Sequence, residues 1–276
     1  MRFVVEGAGA IGGVIGGKMA LAGHEVVMVG RESHMDMVRR EGLKLKGLFG
    51  EDTVVIPTAK EPEMVNYQPG DVLFMTTKTH DTEALLERIK DIVEPDTPMF
   101  CFQNGVRNEE IVSRYFGNVY GMTVLFNGVF IKDGEVSVSL GGGLAVGRYP
   151  EGEDEVAENV AQALREAGFK VEVHPQVMNT KWLKLLMNCR NAVFAITDEP
   201  GQSVVASEPL RHILADLTDE ALGVVKEAGI KIENFKGQKS IEEQVKQLRS
   251  KENIFGDRGV SDEELIRPST WQDIYL

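Results

Sequence analysis

Short apolar runs and amphipathic stretches alternate through the first half of the chain. Residues 2–5, 25–29, 72–76 and 99–102 are brief and rich in Val, Met and Phe, the pattern of strands buried on both faces. Between them, 11–22, 34–41 and 81–93 carry helical patterns; in the last, Ala84, Leu85, Ile89 and Ile92 recur at helical spacing. Strand–helix alternation predicts a parallel sheet with crossover helices. After Tyr120 the texture changes. Residues 123–147 predict antiparallel strands around a turn at Lys132-Asp133-Gly134-Glu135, followed by a helix over 154–167 and a short strand over 170–173. From Gln176 the chain reads as helical, at 177–196, 210–228 and 240–249, with loops at 235–239 and 253–260. A boundary at 174–176 gives two domains, 1–175 and 176–276.

Gly7-Ala8-Gly9-Ala10-Ile11-Gly12 is G-x-G-x-x-G, placed directly after the first strand and opening a helical pattern. Gly7 allows the tight turn, Gly9 lets the backbone approach a pyrophosphate, and Gly12 lets helix pack on strand. The amide groups of Ala8, Ala10 and Ile11 belong to the same cradle, with the positive end of the helix behind them. The expected fold is therefore α/β: a Rossmann-type doubly wound parallel sheet followed by a mainly α-helical second domain. An NAD site usually offers a carboxylate at the end of the second strand. Here that strand ends in Gly30-Arg31, and a guanidinium there favours the 2′-phosphate of NADPH. A solvated surface charge is the alternative for Arg31. Lys78 and Asn104 follow the third and fourth apolar runs, at the sheet edge where open α/β sheets bind ligands; a helix-start lysine and an Asn-Gly turn are the plain alternatives.

Composition narrows the partners. Of 276 residues, 42% are hydrophobic and 26% charged, with 43 acidic against 30 basic side chains and a net charge of -13. Such a chain repels polyphosphate backbones and anionic leaflets, which argues against nucleic-acid and membrane-surface binding, while a few local cations still serve a small anionic substrate. Two cysteines, Cys101 and Cys189, cannot build a disulfide framework, and the five histidines show no metal-ligand spacing. No run approaches the roughly 18 apolar residues of a membrane helix, and Glu6 interrupts what would otherwise resemble a signal peptide. The expectation is a cytoplasmic protein without a metal; a homodimer is left open.

On a wheel of about 100° per residue with Lys184 at zero, Asn188 falls near 40°, Asn191 near -20° and Lys181 near 60°. Trp182, Leu185, Leu186, Cys189, Val193 and Ile196 fall between about 100° and 200°. The predicted helix thus has an apolar packing face and a narrow polar stripe holding a lysine and two amides, poor helix formers in the case of Asn. A solvated outer face is the plain alternative.

The chain resembles the ketopantoate reductase (2-dehydropantoate 2-reductase) family. The resemblance rests on GAGAIGG followed by Gly30-Arg31, on Lys78 in MTTKTHDTEALL, and on Gln103-Asn104-Gly105-Val106. It also rests on KWLKLLMN at 181–188 paired with RPSTWQDI at 267–274. It implies NADPH-dependent reduction of a branched 2-keto acid, 2-dehydropantoate, to pantoate in pantothenate biosynthesis, with the substrate held between the domains. By the same likeness Lys184 is the general acid, Lys78 and Asn104 contact the cofactor, and Asn188, Asn104 and Ser269 hold the substrate. Two departures stand out. The family's second asparagine usually lies four residues after the first, where this chain has Ala192; Asn191 lies three residues on and shares the stripe. Beyond 267–274 the family continues with an active-site acidic residue and a further helical segment, whereas this chain stops at Leu276, so a truncated second domain is expected. The rivals are a reductase of another 2-keto acid and a non-catalytic NADP(H)-binding sensor.

Overall fold

The computed structural model describes residues 1–48, 50–236, 238–250 and 268–275. The expected loop at 253–260 and Arg267 of the family-like stretch lie outside the described residues. The first elements are β1 (Arg2–Glu6), α1 (Ala10–Leu21), β2 (Glu25–Val29), α2 (Glu32–Glu41), β3 (Leu43–Gly47), β4 (Asp52–Val54) and β5 (Thr58–Ala59). Next come β6 (Asp71–Met75), α3 (Thr82–Ile89), β7 (Met99–Cys101), α4 (Asn108–Val112) and β8 (Val119–Val124). They are followed by β9 (Asn127–Lys132), β10 (Glu135–Leu140), β11 (Leu144–Arg148), α5 (Glu155–Glu166) and β12 (Val171–Val173). The remainder is helical: α6 (Val177–Cys189), α7 (Asn191–Thr197), α8 (Gly201–Ala206), α9 (Glu208–Glu227), α10 (Ile241–Arg249) and α11 (Ser269–Tyr275). Two compact units result, Met1–Met178 and Asn179–Leu276.

In the first unit an eight-stranded sheet runs β12-β11-β8-β7-β6-β1-β2-β5. All its pairings are parallel except β8 with β11. Its central strands are buried on both faces, as their unbroken apolar runs require: every residue of β6 and β7 is buried. Alternate residues feed two cores. Phe3 and Val5 pack with residues of α1 and α5, whereas Val4 packs with residues of α3 and α4 on the opposite face.

A second sheet, β4-β3-β10-β9, covers α1 from its other side. This explains the glycine repeat AIGGVIGG in α1. A Cβ at Gly12 or Gly16 would strike Val5, and one at Gly16 also Met28, in the main sheet. A Cβ at Gly13 would strike Val136, and one at Gly17 would crowd Leu43 and Leu45, in the second sheet. The helix is thus sandwiched, with glycines on both flanks so that both sheets come close. Strands β3 and β4 were not anticipated. Leu43 and Leu45 alternate with lysines over only five residues, and β10 finds β3 as a parallel partner from far along the chain. The 132–135 turn does join an antiparallel pair, β9 with β10. In the acidic stretch after Glu151, Asp154 caps α5 by accepting from Ala157 N–H and also accepts from Arg148 and Tyr120.

In the second unit Val193, Val204, Leu214, Ala215, Val245 and Leu248 form a core among α7, α8, α9 and α10. Arg211 is buried there and ties the pieces, donating to the carbonyls of Leu248 and Val205. Ser240 and Glu243 close a capping box at the start of α10. The helix expected over 177–196 breaks at Arg190, giving α6 and α7. Consequently Ile196, placed on the apolar face by the wheel, is 83% exposed. None of the described helices is long and apolar enough to cross a membrane.

Candidate active site

The glycine turn joins β1 to α1. Gly7 and Ala8 N–H both donate to the Val29 carbonyl, at 3.0 and 2.8 Å, which binds the turn to the end of β2. Gly7 has φ +104°, and a Cβ there would meet Thr77 N at 2.6 Å, so conformation and space both demand glycine. A Cβ at Gly12 would meet the Gly7 carbonyl at 2.5 Å. Gly9 differs: a Cβ there would meet only the Gly7 oxygen, at 4.0 Å. The backbone at Gly9 therefore faces open space that a side chain would fill, as close approach of a phosphate requires. The first intrahelical bond of α1 runs from Gly13 N–H to the Gly9 carbonyl, which leaves the amides of Ala10, Ile11 and Gly12 pointing out of the helix end. No acidic residue occupies the first turn and no side chain caps it. These features fit an anionic pyrophosphate. Thr76, which the sequence reading passed over, fastens the turn from the end of β6: its Oγ1 lies 2.8 and 2.9 Å from the carbonyls of Gly7 and Glu6, positioned to donate.

The candidates of this unit lie along one edge. β7, β6, β1 and β2 are consecutive parallel strands. Just past their carboxyl ends come, in the same order, Asn104, Lys78, residues 7–12 and Arg31. Lys78 and Asn104 are both exposed, and their loops are joined: Thr79 Oγ1 donates to the Asn104 carbonyl at 3.4 Å, and Asn108 Nδ2 donates to it at 2.9 Å. Gly105 has φ +87°, so the Asn-Gly pair is a true turn that also presents Asn104 at the edge. Arg31 is exposed at the start of α2, with its guanidinium carbon 5.3 Å from the centroid of the Phe130 ring.

Glu6, the last residue of β1, is 1% exposed and accepts from the Tyr67 hydroxyl at 2.6 Å. Burial pushes its carboxyl up from 4.5 to about 7, against the lowering effect of Tyr67 and Arg88. In this window the folded chain holds a proton that the unfolded chain has released. The contribution of Glu6 to stability therefore falls as pH rises from about 4.5 to about 7 and is level above that. Glu6→Gln is expected to flatten this slope and to gain on the order of 2 kcal/mol at pH 8, read by urea denaturation at several pH values. A variant with an unchanged slope assigns the titration elsewhere.

In the second unit, Lys184, Asn188 and Asn191 are half-buried. Among the described residues no carboxylate meets Lys184, and burial alone lowers its ammonium from 10.5 to about 8. The wheel's division into a packed apolar face and an open polar stripe does not hold. Lys181, near the stripe, is 3% exposed, while Trp182, Leu185 and Cys189 on the supposed packing face are only half-buried. The helix is instead covered on several sides, with Val177, Thr180, Leu183 and Leu186 all buried. Asn191 begins α7, after the break at Arg190. α11, which starts at the half-buried Ser269, packs on α7, and Trp271 Nε1 donates to Asp198 at 2.7 Å.

Arg190 is a cation the sequence reading missed. Its Nε donates to Thr218 in α9 and its Nη1 to Gln244 in α10, at 2.8 and 3.2 Å. Burial lowers it to about 10, and its Nη2 is buried without a partner among the described residues. Its one sequence signal was its place between the two asparagines.

Comparison with known proteins decides the family. The family description "Ketopantoate reductase PanE/ApbA" matches residues 3–151, and its C-terminal counterpart matches residues 176–275. The chain belongs to the ketopantoate reductase family. It is thus an oxidoreductase. It is 31% identical over 240 residues to a 2-dehydropantoate 2-reductase of Pyrococcus horikoshii, covering 84% of this chain and 76% of the relative. It is 29% identical to the same-named protein of Archaeoglobus fulgidus, with 90% and 82% covered. Among solved structures, a PanE/ApbA family ketopantoate reductase from Ralstonia eutropha superposes with TM-score 0.81 at 25% identity, over 99% of this chain and 85% of that one. A D-mandelate dehydrogenase, solved with NADH and anilino(oxo)acetate, reaches 0.82 at 20% identity, over 99% and 84%, a likeness of fold.

Proposed function

We propose that this ketopantoate reductase family member reduces 2-dehydropantoate to pantoate with NADPH, acting in the cytoplasm. The observation that carries the reading is the row of Asn104, Lys78, residues 7–12 and Arg31 past the ends of four consecutive parallel strands. NADPH supplies the hydride when bound. The outward amides of Ala10, Ile11 and Gly12 hold its pyrophosphate, the Ala8 amide being taken by Val29; Arg31 holds its 2′-phosphate, and Lys78 and Asn104 orient it. Lys184 first stabilises the oxyanion that forms at the 2-keto carbon and then gives it a proton. Asn188, Asn191, Asn104 and Ser269 donate to the keto oxygen and the carboxylate of the substrate.

Asn191 takes the place of the family's second asparagine in this reading. On an unbroken helix the two would share one stripe; the break at Arg190 lies between them. The same break favours a second reading, a pocket reshaped for a related 2-keto acid. Loss of NADPH fluorescence on adding 2-dehydropantoate, compared with a panel of 2-keto acids, tests both. The highest kcat/KM for another acid overturns the substrate. NADPH binding with no oxidation by any of them makes the protein a sensor.

A further inference from the structure

The aromatic ring under Arg31 belongs to none of the motifs above. Phe130 lies in the middle of β9, and the β9–β10 hairpin is seated at one end on the first turn of α1 and at the other on α2. At one end Gly128 packs so closely on the first turn of α1 that a Cβ there would lie 3.3 Å from the Ala10 carbonyl. At the other, Gly134 sits against Met37 of α2, and its N–H donates to His34 Nδ1 at 2.8 Å. His34 is 2% exposed and meets the Phe130 ring edge-on, with centroids 4.9 Å apart at 65°. The ring is thus held by the scaffold rather than by Arg31.

We propose that Phe130 is a specificity-determining platform that sets the Arg31 guanidinium for the 2′-phosphate of NADPH, a role that rests on the reading of Arg31 given above. A ring face attracts the cation but accepts none of its in-plane N–H bonds, so all five donors stay available to phosphate oxygens. Competition from carboxylates is also removed. Glu32 and Asp36 of α2 both pair with Lys60, and among the described residues no carboxylate or carbonyl takes the Arg31 donors. A long exposed side chain loses rotamer freedom when it binds; holding it on a ring beforehand reduces that loss.

Phe130 is a positioning residue, and the readout is the ratio of NADPH to NADH affinity, by fluorescence titration of each cofactor. Phe130→Leu and Phe130→Met are expected to lower that ratio about 3- to 10-fold, and Phe130→Tyr to keep it. In an Arg31→Ala background, Phe130→Leu changes the ratio no further. An unchanged ratio in both apolar variants, or the same fall with Arg31 already gone, overturns the platform alone. If Arg31→Ala itself leaves the ratio unchanged, the 2′-phosphate reading is overturned and the platform with it.

Discussion

Lys184→Ala is expected to lower turnover by about 10²- to 10⁴-fold while NADPH affinity barely moves. Two effects are removed together: a proton for the alkoxide, and a positive charge that acts mainly when the oxyanion forms. The proposed cofactor cradle, residues 7–12 with Arg31, belongs to the first unit, so binding and turnover should separate. Burial also brings the ammonium to about 8, nearer to working pH than an exposed lysine. The acid must be protonated, so kcat/KM should be level below about pH 8 and fall above it. Lys184→Arg keeps the charge but holds its proton too tightly to transfer it, and should lose that limb. Lys181 is the control with a complication. It is buried, so Lys181→Ala should cost stability first, read by thermal denaturation, and turnover of the folded fraction within about tenfold. A dead Lys181→Ala enzyme beside a nearly normal Lys184→Ala enzyme reverses the assignment.

Arg31→Ala is expected to weaken NADPH binding roughly 10- to 150-fold, the worth of one charge-assisted phosphate contact of about 1.5–3 kcal/mol, and to leave NADH nearly unchanged. A D-mandelate dehydrogenase of this fold was solved with NADH; the proposed preference for NADPH rests on the residue at the end of β2. Titration of both cofactors against both proteins checks it; equal losses for the two would end the preference for NADPH.

What could be read along the chain was local. Strict apolar runs marked β1, β2, β6 and β7 because strands buried on both faces have no polar side to alternate with. Strand–helix alternation then put Lys78 and Asn104 past carboxyl ends of the same sheet, and glycine spacing placed the turn between β1 and α1. Each inference needed only neighbours within a few residues.

Pairings between distant segments were decided by folding alone. Gly13 and Gly17 have no evident purpose until β3 and β10, remote from each other in sequence, meet over α1. Phe130 reaches Arg31 through the same sheet. The wheel of 177–196 assumed one packed face, whereas a helix surrounded on several sides buries Lys181, and Arg190 interrupts it while bonding Thr218 and Gln244 on two other helices. The displaced titrations of Glu6 and Lys184 belong to the same class. Residue type sets where a group titrates in water, but the shift is the cost of losing that water, and only the packing of the whole chain determines which groups lose it.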